Sequence, residues 1–334
     1  MVNISHMIGL FLASMSSVVG AYVVLLGAYY GLEGDNLPSP SLVVQLCLKY
    51  NISRVRLEVP NLDILEAFRG TEIDISFGVP NDMLPNMATN KTLVEVWFNT
   101  YIVPYVDDYT INYIVVGDKA IPGLDDNILP VMKSLQDLLN AHYLGRVKLT
   151  TLVGFKSLAV TNPPSSGAFY PTIVENMRGI LKFLGRQGSP LMVSLNMYNW
   201  YVYGGNVSLG YATLSEQNSS VHDGMLSYNN LFDEMVDAFY AAIDKANVRD
   251  VGIVVGETGW PTCGNNNATI PLLAAEYNRN FKSHISSGKG TPKKKNIYIE
   301  GFIKSIFNEN EKSGESQCYA MFNVDSTPIY SPVF

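Results

Sequence analysis

A single-domain α/β fold of the (β/α)8 TIM-barrel type is predicted by three observations. Short apolar runs rich in β-branched and aromatic residues recur down the whole chain, the stretches between them are long enough for a helix and its loops, and there are eight such runs. That rhythm is the βα alternation of a parallel sheet. Near-continuous apolar strands imply burial on both faces, and eight of them favour closure over an open doubly wound sheet, the competing architecture. The 334 residues fit one barrel, for which about 250 residues plus insertions is usual.

In chain order the expected strands are Val23 to Tyr29, Arg54 to Val59, Asp74 to Val79, Tyr113 to Gly117, Lys148 to Val153, Leu191 to Met197, Gly252 to Gly256 and Tyr319 to Asn323. Among the helices, Ser41 to Lys49 follows Pro38-Ser39-Pro40 and Leu129 to Leu139 follows Asp125-Asp126, both good starts. Leu231 to Lys245 carries Leu231, Met235, Ala238, Phe239 and Ala242 at helical spacing.

Hydrophobic residues at 47% and charged residues at 16% describe a globular chain, because a disordered one cannot bury enough apolar surface. The net charge of −7 repels polyphosphates and anionic lipid, so neither nucleic acid nor a membrane surface is expected as a partner. The basic stretch Lys289 to Lys295 contains Gly290 and Pro292 and reads as a solvated loop.

Residues 1–32 contain no charged side chain. A secretory signal over 1–21, with small residues at Val19-Gly20-Ala21, competes with a membrane anchor; the signal is preferred because the end of the run is needed as a barrel strand. The barrel then occupies 22–334, with no anchor signal after it, and a monomer secreted to the wall space or a vacuole is expected. Asn-x-Ser/Thr sequons at Asn3, Asn51, Asn90, Asn206, Asn218 and Asn267 suit export. Cys47, Cys263 and Cys318 lack metal spacing and read as free structural thiols. His6, His142, His222 and His284 are scattered, so no metal and no cofactor is expected.

Barrel enzymes place their chemistry at the C-terminal ends of strands. Two strands end alike: Tyr113-Ile-Val-Val-Gly117 runs into Asp118-Lys119, and Gly252-Ile-Val-Val-Gly256 runs into Glu257-Thr-Gly-Trp-Pro261. A glycine before an ionisable group lets backbone and ligand approach closely. Trp260 reads either as a wall for a sugar ring or as core packing.

The segment Val254-Val-Gly-Glu-Thr-Gly-Trp-Pro-Thr262 resembles the nucleophile signature of glycoside hydrolase family 17, the plant β-1,3-glucanases and β-1,3-1,4-glucanases. The resemblance runs from about Gly27 and includes Tyr30-Gly31, Asn36-Leu-Pro-Ser-Pro40, Asn51-Ile-Ser-Arg-Val-Arg-Leu57, Gly78-Val-Pro-Asn-Asp82, Asn230-Leu-Phe-Asp233, Ile299-Glu300 and Phe307-Asn-Glu-Asn310. It implies that Glu257 is the nucleophile and that Glu300 and Glu309 are further active-site glutamates. It also implies that Tyr30 and Tyr198 contact substrate and that Phe322 stacks on sugar; the residues themselves add flat faces at Trp200 and Trp260.

The family carries Asn-Glu after the glycine of the fourth strand, the Glu being the general acid, where this chain has Asp118-Lys119. A retaining glycosidase needs a donor that is still protonated at working pH, beside its nucleophile. An ammonium next to a carboxylate holds its proton too firmly, so an ion pair between Lys119 and Glu257 is expected, with Asp118 as a possible substitute acid. The family's Tyr-Asp after Arg-Leu is Glu58-Val59 here, and its Tyr-Pro-Tyr-Phe is Tyr198-Asn199-Trp200-Tyr201. Two functions are therefore carried forward: an impaired retaining β-1,3-glucan endohydrolase, and a barrel that binds β-glucan without cleaving it.

Overall fold

Strands that are apolar on both faces need a core on one side and a layer of helices on the other, and the chain supplies both. The computed structural model describes residues 25–219, 221–264 and 266–334. Its closed barrel comprises β1 (Leu26–Tyr29), β2 (Arg54–Arg56), β3 (Asp74–Val79), β4 (Ile111–Asp118), β5 (Lys148–Val153), β6 (Leu191–Leu195), β7 (Ile253–Thr258) and β8 (Glu300–Lys304). All eight are parallel, and β1 pairs with both β2 and β8 to close the ring.

Helices cover the outside, among them Pro40–Lys49, Asp125–Ala141, Val174–Gln187, Leu231–Lys245 and Pro271–Ser286. Leu231–Lys245 is buried along almost its whole length. Asn230 caps it, its side chain accepting the Asp233 N–H at 2.8 Å. None of the described helices is long and apolar enough to cross a membrane. The expected signal segment, Asn3, Val23 and Val24 lie outside the described residues.

One strand is corrected. The eighth barrel strand is Glu300–Lys304, not Tyr319 to Asn323. Its Glu and Lys ends leave only Gly301-Phe-Ile303 apolar, too short a run to stand out in the sequence. The later segment lies beside the end of β8 and hydrogen-bonds to Ser305 and Ile306, and it is apolar because Met321 and Phe322 are buried there. The basic stretch is a loop, yet it is pinned: the buried Thr291 donates to Asp237, and Lys293 pairs with Asp244 at 2.8 Å.

The thiols are corrected as well. Cys263 and Cys318 form a disulfide that ties the loop after β7 to the loop after β8. Their separation of 55 residues gives no pairing signal; the barrel brings the two loops together because β7 and β8 are neighbours. Cys47 is free and buried, and burial pushes its thiol up to about 12, which makes it inert.

Replacing Cys263 and Cys318 together by serine should cost about 4 kcal/mol, the loop-entropy value for a closure of this length, read as a lower urea midpoint. An unchanged midpoint would mean that the loops are held by other contacts.

Candidate active site

Ladder register sets the level of the barrel mouth. Tyr29 at the end of β1 lies opposite Arg56 on one side and Lys304 on the other. Arg56 is wholly buried beneath it, its guanidinium 5.4 Å from the Tyr29 ring centre, and its Nη2 donates to Asp118 Oδ2. Lys304 lies between two rings, 5.9 Å from the centre of Tyr29 and 5.1 Å from that of Tyr319. Such cation–π contacts hold a charge where water is scarce.

At the end of β4 the backbone turns through two left-handed residues, Gly117 at φ 86° and Lys119 at φ 53°. Asn81 grips the residue between them, accepting the Asp118 N–H at 3.0 Å and donating to its carbonyl at 2.9 Å. This turn carries Lys119 over the mouth. Its Nζ lies 3.1 Å from Asp118 Oδ1 and donates to Glu257 Oε1 at 2.8 Å.

Glu257 stands near the end of β7, where the pairing with β6 shifts register between Val255 and Glu257. Ser194 Oγ also donates to Oε1, at 2.7 Å. The other oxygen, Oε2, is buried and has no hydrogen-bond partner among the described residues. Burial opposes ionisation here, yet Lys119, Lys304 and Arg56 together hold the carboxyl well below the usual carboxylate range. For Lys119 burial likewise favours the neutral form, and Glu257 and Asp118 overcome it to raise the ammonium above its ordinary value.

A second group of charges completes the rim. The Tyr29 hydroxyl donates to Glu58 Oε2 at 3.1 Å. Lys312 Nζ bridges Glu309 Oε2 at 2.8 Å and Glu33 Oε1 at 3.3 Å. Glu309 presses so closely on the chain that a Cβ on Gly31 would fall 2.0 Å from its carboxyl carbon, so a larger residue at 31 would displace that carboxylate. Burial first, then the carboxylates of Glu309, Glu58 and Glu257, push the Tyr29 phenol well above its ordinary pKa.

The structure thus brings Glu257, Lys119, Asp118 and Glu309 together and separates other expected site residues from them. Glu300 begins β8 and pairs with Val254, three residues before Glu257, which puts it about 10 Å below the mouth. It binds Arg54 Nη2 at 3.0 Å and the Tyr113 hydroxyl at 2.9 Å, closing the opposite end of the barrel. Asp118 is buried as the partner of Arg56 and Lys119.

Four aromatic side chains expected to face sugar are enclosed. Trp260 is 0% exposed and donates its indole N–H to the Ala268 carbonyl at 2.7 Å. Tyr198 stacks edge-on against it, and its hydroxyl accepts from Asn266. Tyr30 packs edge-on against Phe307, and Phe322 is 0% exposed against Tyr50. These rings frame the site from behind. Trp200, in the helix Met197–Tyr203, is only half-buried, with Phe155 edge-on at 5.3 Å, and Tyr201 is half-buried beside it.

Tyr29, Ser194, Lys304 and Lys312 were not legible as site residues. A lone serine inside the apolar run Leu191–Leu195 was a usable signal, since a buried parallel strand has little reason to carry a polar side chain.

The profile of the family "Glycosyl hydrolases family 17" matches residues 26–334. This chain belongs to that family. A protein of Arabidopsis thaliana named a probable glucan endo-1,3-beta-glucosidase is 41% identical over 312 residues, covering 91% of this chain and 90% of that one. Lichenase-2 of Hordeum vulgare is 36% identical over 307 residues, covering 91% and 97%. A solved structure, reported with two plant beta-glucan endohydrolases of distinct substrate specificities, superposes with a TM-score of 0.87 at 36% identity, covering 92% of this chain and all of the other. The family 17 barrel is therefore shared with that solved structure.

The ionic arrangement at the barrel mouth couples the family 17 site to stability. Glu257 is held below the about 4.3 of a free glutamate, so its ionisation stabilises the fold fully above that pH. The contribution is lost as pH falls through the folded value. The raised Lys119 adds stability that persists up to its unfolded pKa and is lost only as pH rises beyond it. Lys119→Met should cost about 2 kcal/mol at pH 7, a modest value because 41% of the Lys119 side chain is in water. The cost should shrink as the pH falls, because without Lys119 the buried Glu257 carboxyl takes up its proton at a higher pH than in the native protein. Thermal melts of both proteins from pH 3 to 7 measure it, and a pH-independent gap would mean that the pair is not coupled to folding.

Proposed function

We propose that this chain is a retaining endohydrolase of β-1,3-glucan, with Glu257 as nucleophile and Lys119 at the position of the general acid, so that polymer cleavage is slow. The observation that carries the reading is the asymmetry of the Glu257 carboxylate, with Oε1 bound to Lys119 and Ser194 and Oε2 buried but unengaged. An ionised, oriented carboxylate with one free oxygen is what attack on an anomeric carbon requires. Membership of family 17 and relatives named as glucan endo-1,3-beta-glucosidases support the substrate class. Asp118 could then relay no proton, being closed off by two cations.

The protein is further proposed to act as a secreted monomer after removal of residues 1–21, a reading that the disulfide and the sequons support. The Lys119–Glu257 pair also favours the second function, a barrel that binds β-glucan on Trp200 and Tyr201 without cleaving it. Leaving-group chemistry separates the two. A strongly acidic phenol departs without protonation, whereas a sugar hydroxyl does not.

Aryl β-laminaribiosides with acidic phenols should release phenol, or label Glu257 covalently, while laminarin is turned over far more slowly. Lys119→Glu should narrow the gap by about 10²- to 10⁴-fold, the usual worth of a general acid. Binding of laminari-oligosaccharides with neither phenol release nor labelling would replace the enzyme by the binding barrel.

A further inference from the structure

We propose that Glu58 is the proton donor for the unactivated glucan linkages this chain cleaves, acting from the opposite flank of Glu257 to Lys119. The proposal rests on the retaining-hydrolase reading above and names the missing half of its chemistry.

Ring closure gives the first argument. The order around the barrel is β1-β8-β7-β6-β5-β4-β3-β2. Counting from β7, which carries Glu257, the end of β4 is three strands away in one direction and the end of β2 is three strands away in the other. Strands equally far round a closed ring are separated by similar chords, so side chains of equal length reach the centre alike. Glu58 follows β2 by two residues and stands at that mirror position. Its side chain is a full glutamate, unlike the shorter Asp118.

The setting of Glu58 also suits a donor. The Gly78 N–H donates to the Glu58 carbonyl at 3.0 Å, and a Cβ at position 78 would fall 2.5 Å from that oxygen, so the backbone is pinned to β3. Oε2 accepts from the Tyr29 hydroxyl, and Oε1 has no hydrogen bond among the described residues. Of the four rim carboxyls, Asp118 is paired with Arg56 and Lys119, Glu257 with Lys119, and Glu309 with Lys312. Glu58 alone of these has no ion pair, and it is half-buried rather than sealed.

The charges facing it oppose one another. Burial and the Asp118 carboxylate raise its pKa, against Lys119, the Tyr29 hydroxyl and Lys312, and the balance is upward. A half-buried carboxyl with a raised pKa is the ordinary form of a glycosidase acid.

In the first step Glu257 Oε2 bonds to the anomeric carbon as the glycosidic bond breaks. The bonding pair leaves with the sugar oxygen, which takes the proton of Glu58. In the second step Glu58, now a carboxylate, removes a proton from water as its oxygen attacks the same carbon and Glu257 departs.

Glu58→Gln tests this, measured on laminarin and on 2,4-dinitrophenyl β-laminaribioside, with and without sodium azide. The expected result is a loss of about 10²- to 10⁴-fold on laminarin, with rapid initial phenol release retained. Azide needs no base to attack, so it should restore steady turnover and yield a β-glycosyl azide. The retained burst also shows that the variant folds. Equal losses on both substrates, an unchanged laminarin rate or no azide product would each overturn Glu58 while leaving the hydrolase reading intact, whereas no laminarin cleavage at all by the unmodified protein would overturn Glu58 together with the glucan-endohydrolase reading. Absence of phenol release and of Glu257 labelling in the unmodified protein would overturn both.

Discussion

Neutralising charge at the mouth of the barrel is the constraint on which the rest of this site depends. Eight parallel strands point their C-terminal ends at one small area, and here they deliver the carboxylates Glu58, Asp118, Glu257 and Glu309 with the cations Arg56, Lys119, Lys304 and Lys312. A buried ion without a partner is expensive, so every buried member needs a neighbour of opposite sign. Arg56 and Asp118 form the floor. Their pairing, with the Asn81 grip on Asp118, fixes where the β4 turn emerges and hence where Lys119 can reach.

Behind the charges lies an apolar frame whose role is orientation. The disulfide brings Cys318 beside Thr262, whose N–H and hydroxyl both donate to the Cys318 carbonyl. Tyr319 follows at once, accepts from Asn196 and supports Lys304 from one side. Trp260, Tyr198, Tyr201 and Tyr277 pack as one aromatic cluster below the β7 loop. Burial of Trp260, Tyr198 and Tyr277 is how the signature segment stays rigid, and it is also why these three are unavailable to a sugar. The exposed faces fall to residues further along the β6 loop, Trp200 and Tyr201.

Period and position explain what could be read from the sequence. Asp74–Val79, Lys148–Val153 and Leu231–Lys245 were legible to the residue because their apolar patterns are long and cleanly bounded. Glu257 and Lys119 were legible because they follow apolar strands directly. Glu300 and Glu309 sit nine residues apart in sequence, yet one belongs to the bottom of the barrel and the other to the mouth, because a five-residue strand separates their levels. Tyr29 and Tyr30 show the same limit at single-residue scale: neighbours on a strand face opposite ways, and only the register tells which looks inward. A disulfide between loops is invisible until the strands that carry the loops are known to be neighbours.

The cations that keep Glu257 ionised also shape what it can do. An ionised nucleophile is required for attack, and Lys119, Lys304 and Arg56 secure that state against burial. The transition state of glycoside cleavage, however, places positive charge on the sugar ring beside the same carboxylate. The cation within hydrogen-bonding range of Glu257, Lys119, stabilises the resting carboxylate more than it stabilises a pair formed with a cationic sugar, so it lowers the ground state and opposes the developing charge together. In the hydrolase reading Lys119 therefore slows the reaction by competing with the sugar for the nucleophile, whichever group donates the proton. Its half-exposed ammonium lies on the solvent side of Glu257, where an incoming sugar ring would have to displace it. A substrate able to displace that side chain would meet a nucleophile already oriented by Ser194.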